Sequence, residues 1–163
     1  MRLGPLLSVP LVLALLVTGC CDAHESARCG TPAAEPIASL TIVTVTGSDS
    51  TDASIYFCIE HASTLVPECF DLDTPVDDFE QHQTDAFTVT PATPIVAGDF
   101  RAFYLQNRGG GFLGNNDWDM VSLRVEATGT SSARWDLYNE PAISCGDEQI
   151  GSGATWRPAS CTL

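Results

Sequence analysis

The sequence predicts an all-β fold: an antiparallel eight-stranded β-sandwich carrying a C-terminal disulfide-closed hairpin. Three observations predict it. From Leu40 onward apolar residues recur at every second position, the spacing that puts them on one face of a strand. No window carries a helical period. Pro- or Gly-bearing turns break the pattern roughly every 8 to 15 residues, the rhythm of a sandwich rather than of alternating strands and helices. A chain of 163 residues buries enough surface for one such core, and two domains would be cramped.

Residues 1–19 read as an export signal. Arg2 supplies a positive start, residues 6–17 an apolar run too short for a stable transmembrane helix, and Thr18-Gly19 the small residues that precede cleavage. The tetrapeptide Val17-Thr18-Gly19-Cys20 resembles the bacterial lipobox, which implies lipidation of Cys20. The alternative is an ordinary secretory signal cut after Ala23. Cysteine parity separates the two. Lipidation of Cys20 leaves Cys21, Cys29, Cys58, Cys69, Cys145 and Cys161, an even set, whereas cleavage after Ala23 leaves an odd one. The expected location is the cell envelope, lipid-anchored at an outer membrane or cell surface. Cys21 in place of Asp after the lipidated cysteine lacks the usual inner-membrane retention signal.

Residues 20–39, rich in Ala, Glu and Pro, read as the lipidated N-terminus and a flexible tether, in which Cys21 and Cys29 could close a small ring. The sandwich is expected over residues 40–140. Its first two strands lie within 41–59 around the loop Ser48-Asp49-Ser50-Thr51-Asp52. Ile55, Phe57 and Ile59 share one face of the second strand, and Tyr56, Cys58 and Glu60 the other. In the third strand, 69–73, Phe70 and Leu72 turn inward and Cys69 outward. Outward cysteines on paired strands suit a disulfide, so Cys58–Cys69 is the expected staple. Further strands are predicted over 85–90, 100–106, 118–127, with Val121, Leu123 and Val125 inward, and 133–138. In 141–163 Cys145 and Cys161 flank a Gly-rich turn, the expected hairpin.

Charge narrows the function. Seven arginines, no lysine and 21 carboxylates give a formal net charge of -14, which repels a nucleic-acid backbone. Much of this charge also serves as a solvated exterior. In a run of antiparallel strands alternate connections emerge at the same end. That parity gathers the loop with Asp49 and Asp52, the loop with Asp77 and Asp78, and the loop 107–117 with Asn115, Asn116 and Asp117. Carboxylate and amide oxygens on irregular loops suit calcium, although Asp, Asn and Gly are also ordinary turn material. The loops of the other end carry almost no carboxylates. Phe112-Leu113, flanked by glycines, is a candidate membrane contact or a cover for the sandwich end.

These residues carry a family resemblance. Val45-Thr46-Gly47, then Thr51-Asp52-Ala53-Ser54-Ile55-Tyr56, Asp78-Phe79-Glu80, Thr84-Asp85-Ala86-Phe87 and Asn116-Asp117-Trp118 together resemble the PLAT/LH2 domain, the β-sandwich found beside the catalytic domains of lipoxygenases and many lipases. The sequence departs from the family at Val121, where an acid is usual, and after Glu80, where a glycine is. The resemblance implies a non-catalytic, calcium-assisted module that binds a lipid or protein surface. It makes Asp52 the first ligand expected, with Asp78 and Asp117 next. A metal-free structural or protein-interaction module is one alternative, and an accessory subunit of a separate lipase or oxygenase another. No G-x-S-x-G or H-E-x-x-H motif is present, and His24, His61 and His82 stand apart along the chain.

Overall fold

The computed structural model describes residues 28–29, 35–74, 78–96, 98–109, 117–141, 143 and 148–158. Ten strands run in the order β1 (Arg28–Cys29), β2 (Ile37–Thr46), β3 (Ile55–His61), β4 (Glu68–Asp71), β5 (Thr84–Val89), β6 (Phe100–Asn107), β7 (Trp118–Gly129), β8 (Arg134–Glu140), β9 (Glu148–Ile150) and β10 (Thr155–Trp156). No helix occurs among the described residues. Two antiparallel sheets result. One follows β1-β8-β7-β2-β5 with β9 also paired to β7, and the other follows β10-β6-β3-β4. The predicted β-sandwich is therefore the observed one, its seven longer strands joined by three of two or three residues.

Period two builds the core. In β5 Asp85, Phe87 and Val89 are buried while Thr84, Ala86 and Thr88 face solvent. Leu40 and Ile42 of β2 face Ile55, Phe57 and Ile59 of β3 across the interlayer, all fully buried. Aromatic rings fill the ends of this layer. Phe79 meets the edge of Trp118 at 4.8 Å between centroids and stacks on Phe87 at 5.3 Å, while Phe57 stacks on Phe103 at 5.4 Å. Such pairs add to the stabilisation from area burial.

The staple is present: Cys58 lies opposite Cys69 across β3 and β4 and the two are disulfide-bonded. Three expectations need correction. Val121 is only half-buried. A register shift pairs Val45 with Ser122 but Thr46 with Met120, so one extra residue sits in β7 and the inward positions become Trp118, Met120, Leu123 and Val125, as a β-bulge requires. The tether is shorter than expected, since Arg28–Cys29 pairs with β8 and β2 begins at Ile37. Glu35 is held by the Ser131 N–H at 2.9 Å and hydroxyl at 2.7 Å. The C-terminal segment does turn back at Gly151–Ala154, where the Ala154 N–H donates to the Gly151 carbonyl. Its two arms pair with β7 and β6, in opposite sheets, rather than with each other. Cys20, Cys21, Cys145 and Cys161 lie outside the described residues, as does the Cys29 side chain.

Candidate functional site: an acidic loop end

Three connections that cross between the sheets, 47–54, 72–83 and 108–117, meet at one end of the sandwich. Backbone hydrogen bonds stitch them together. Gly47 N–H donates to the Asp119 carbonyl at 2.7 Å, and Asp119 N–H donates to the Asp49 carbonyl at 3.1 Å. His82 N–H reaches the Gly47 carbonyl at 3.1 Å, and, from a side chain, Gln81 Nε2 donates to the Ser48 carbonyl at 2.8 Å. Ser54 and Arg108 tie the first loop to the third: Arg108 N–H donates to the Ser54 carbonyl at 3.0 Å. The alternation of connections read from the sequence thus holds. The β9–β10 turn joins the same end, with Ser152 N–H donating to Asp117 Oδ1 at 3.2 Å and Asn107 Nδ2 donating to the Ile150 carbonyl at 2.9 Å.

The carboxylates at this end have different roles. Asp52 is exposed, on the tip of the first loop, while Asp49 and Asp117 are half-buried. Asp78 folds back on its own loop: its Oδ2 accepts from the Thr74 N–H at 2.7 Å and hydroxyl at 2.6 Å. Asp77, Asn115 and Asn116 lie outside the described residues, and so do Phe112 and Leu113. Among the described residues no group of three or more His, Cys, Asp or Glu side chains stands close enough to hold a metal ion.

Two further carboxylates organise the end, and neither stands among the ligands expected from the sequence. Asp85 is buried and caps the second loop, accepting from Phe79 N–H at 3.0 Å and Gln83 Nε2 at 2.8 Å. It holds Phe79, whose φ is 60°, in the left-handed region where its ring reaches the core. Burial raises the Asp85 pKa above its ordinary value; the Phe79 N–H partly offsets this, and the neighbouring Asp78 charge adds to it. Asp119, 1% exposed, accepts at Oδ2 from the Ser48 N–H and hydroxyl at 2.8 and 2.9 Å. Its Oδ1 is buried without a hydrogen-bond partner, an arrangement that costs about 1–3 kcal/mol when nothing else satisfies it. Alternation gave no signal for Asp119, because the bulge in β7 sets the face it takes; once buried, a carboxylate needs donors or a cation.

No protein-family profile matches the chain, and no curated protein sequence does. Solved structures do. The alpha toxin of Clostridium absonum superposes with a TM-score of 0.63 at 21% identity, over 76% of this chain and 31% of the toxin. An alpha-toxin of Clostridium perfringens from avian strain SWCP gives 0.58 at 18%, over 83% and 33%. A LOX variant solved in complex with arachidonate gives 0.52 at 21%, over 77% and 17%. The chain is thus an all-β sandwich of PLAT-like fold, and it spans a third or less of the length of each of these proteins. At these identities the likeness is one of fold.

Proposed function

We propose that the protein is a non-catalytic binding module, exported and lipid-anchored through Cys20, whose acidic loop end takes up calcium and through it docks on a lipid or protein surface. The observation that carries this reading is Asp119 Oδ1, a buried carboxylate oxygen with no partner, lying under loops that supply Asp49, Asp52 and Asp117. A hard cation accepts oxygen ligands of this kind, about six to eight of them, from carboxylates and backbone carbonyls alike. The described side chains alone do not complete such a set, so the reading assigns further donors to loop carbonyls and to Asp77, Asn115 and Asn116. Asp78, committed to Thr74, becomes a supporting residue rather than a first ligand.

A non-catalytic role is supported by the coverage, since this fold makes up only part of the longer toxin and LOX chains. A lipid surface is the first partner to test because the lipobox-like Val17–Cys20 tetrapeptide already directs the chain to a membrane. Calorimetry with calcium tests the cation: binding heat with the wild type and its loss in Asp52→Ala and Asp119→Asn support the reading. No heat at millimolar-order calcium and no rise in melting temperature contradict it and favour a metal-free interaction module.

A further inference from the structure

The end of the sandwich remote from the acidic loops has a different character. The connection after β3 carries Leu65 and Val66, which are 101% and 76% exposed. Val96, on the neighbouring connection after β5, is 54% exposed. These are the large hydrophobic side chains that the described residues leave in solvent, and all three belong to this one end. The two connections are fastened together beneath them, with Ala62 N–H donating to the Asp99 carbonyl at 2.7 Å and Ser63 N–H to Asp99 Oδ1 at 2.7 Å. The tip is therefore held out by a fixed base.

The acids beneath it are partly buried and each is engaged by a partner. Asp99 and Glu68 grip the His61 ring from either side, at 3.1 and 3.6 Å. Glu68 also accepts from Ala92 N–H at 2.9 Å, and Glu60 is paired with Arg157 at 2.6 Å. Arg101, exposed at the start of β6, forms no ion pair with any described carboxylate. It lines a hollow of about 130 Å³ together with Glu60, His61, Thr64, Leu65 and Pro67. On a molecule of formal charge -14, Arg101 gives this apolar tip an exposed cation at its root that an anionic interface can meet.

We infer that this end is a second docking surface, separate from the acidic end and independent of any cation, and that its occupant is a membrane carrying anionic phosphate head groups. Leu65 and Val66 enter the acyl boundary, and Arg101 meets a lipid phosphate in the hollow beside them. Apolar insertion supplies most of the affinity. Arg101 supplies the preference for charged lipid, because a guanidinium presents a planar fork of donors to phosphate oxygens.

The test uses the full chain with Cys20→Ser, so that no acyl chain contributes, and a chelator, so that calcium-dependent docking at the acidic end is silent. It is co-sedimented with vesicles of phosphatidylcholine alone and of phosphatidylcholine with phosphatidylglycerol. The expected results are binding that is stronger on the mixed vesicles, a loss of at least about tenfold in Leu65→Ser/Val66→Ser, and loss of the phosphatidylglycerol preference alone in Arg101→Gln. Because these side chains are exposed, the variants keep the wild-type melting temperature. Absence of wild-type binding in chelator, or equal pelleting of wild type and Leu65→Ser/Val66→Ser, overturns the inference. Either of those results leaves the calcium reading untouched, since that reading is scored by calorimetry at Asp52 and Asp119.

Discussion

At the scale of single residues, the acidic end depends on two buried carboxylates. Asp119→Ala removes the acceptor for the Ser48 N–H and hydroxyl and is expected to destabilise the fold by about 1–3 kcal/mol, read by urea denaturation. pH separates two other groups. The Ser63 hydroxyl and N–H, with a contribution from His61, hold the Asp99 carboxyl below its ordinary range. Stability from that group is present above its unfolded pKa and is lost as pH falls through the depressed folded value. Asp85, raised by burial, acts in the opposite sense: the folded state takes up its proton first, and its contribution to stability rises as pH falls. Melting temperatures followed from neutral pH down through about pH 4 should therefore drop less steeply in Asp99→Asn than in the wild type, and more steeply in Asp85→Asn. Asp52 was legible in the sequence because an exposed loop acid follows from loop chemistry. Asp119 was not, because its position on β7 depends on a bulge that alternation does not reveal.

At the scale of elements, the β3–β4 hairpin and the third loop carry the clearest expectations. The Cys58–Cys69 staple closes a loop of sequence separation 11, and Cys58 is fully buried. Replacing both with Ser is expected to cost about 3 kcal/mol, measured as the shift in denaturant midpoint. Gly109, with φ at +69°, occupies a conformation that an L side chain rarely adopts, and a Cβ there would lie 2.5 Å from Ser152 Oγ. Gly109→Ala should cost about 1 kcal/mol or more and loosen the packing of the β9–β10 turn on the third loop. The hairpin was readable from the sequence because alternation put Ile55, Phe57 and Ile59 on one face and Cys58 on the other, and Cys69 opposite followed. The fate of the C-terminal segment was not. Its turn is local, but whether its arms pair with each other or with β7 and β6 depends on the edges that the two sheets leave open, and these are set by long-range pairing.

At the scale of the whole molecule, the sandwich separates two unlike ends. One gathers Asp49, Asp52, Asp117 and the unpartnered Oδ1 of Asp119; the other carries Leu65, Val66 and the uncommitted Arg101. Alternating connections made the first end legible, since strand parity alone brings those loops together. The second was not, because an apolar pair such as Leu65-Val66 in a sequence reads equally well as core until the fold shows it left in solvent. Mass spectrometry of the mature N-terminus addresses the proposed anchor, with an acylated Cys20 expected and an unmodified chain starting at His24 contradicting it. Cation uptake at the acidic end is read by calcium titration in a calorimeter. Binding heat and a raised melting temperature are expected in the wild type, both abolished in Asp119→Asn. A wild-type protein that gives no heat and no stabilisation, or an Asp119→Asn variant that responds to calcium as the wild type does, would contradict it.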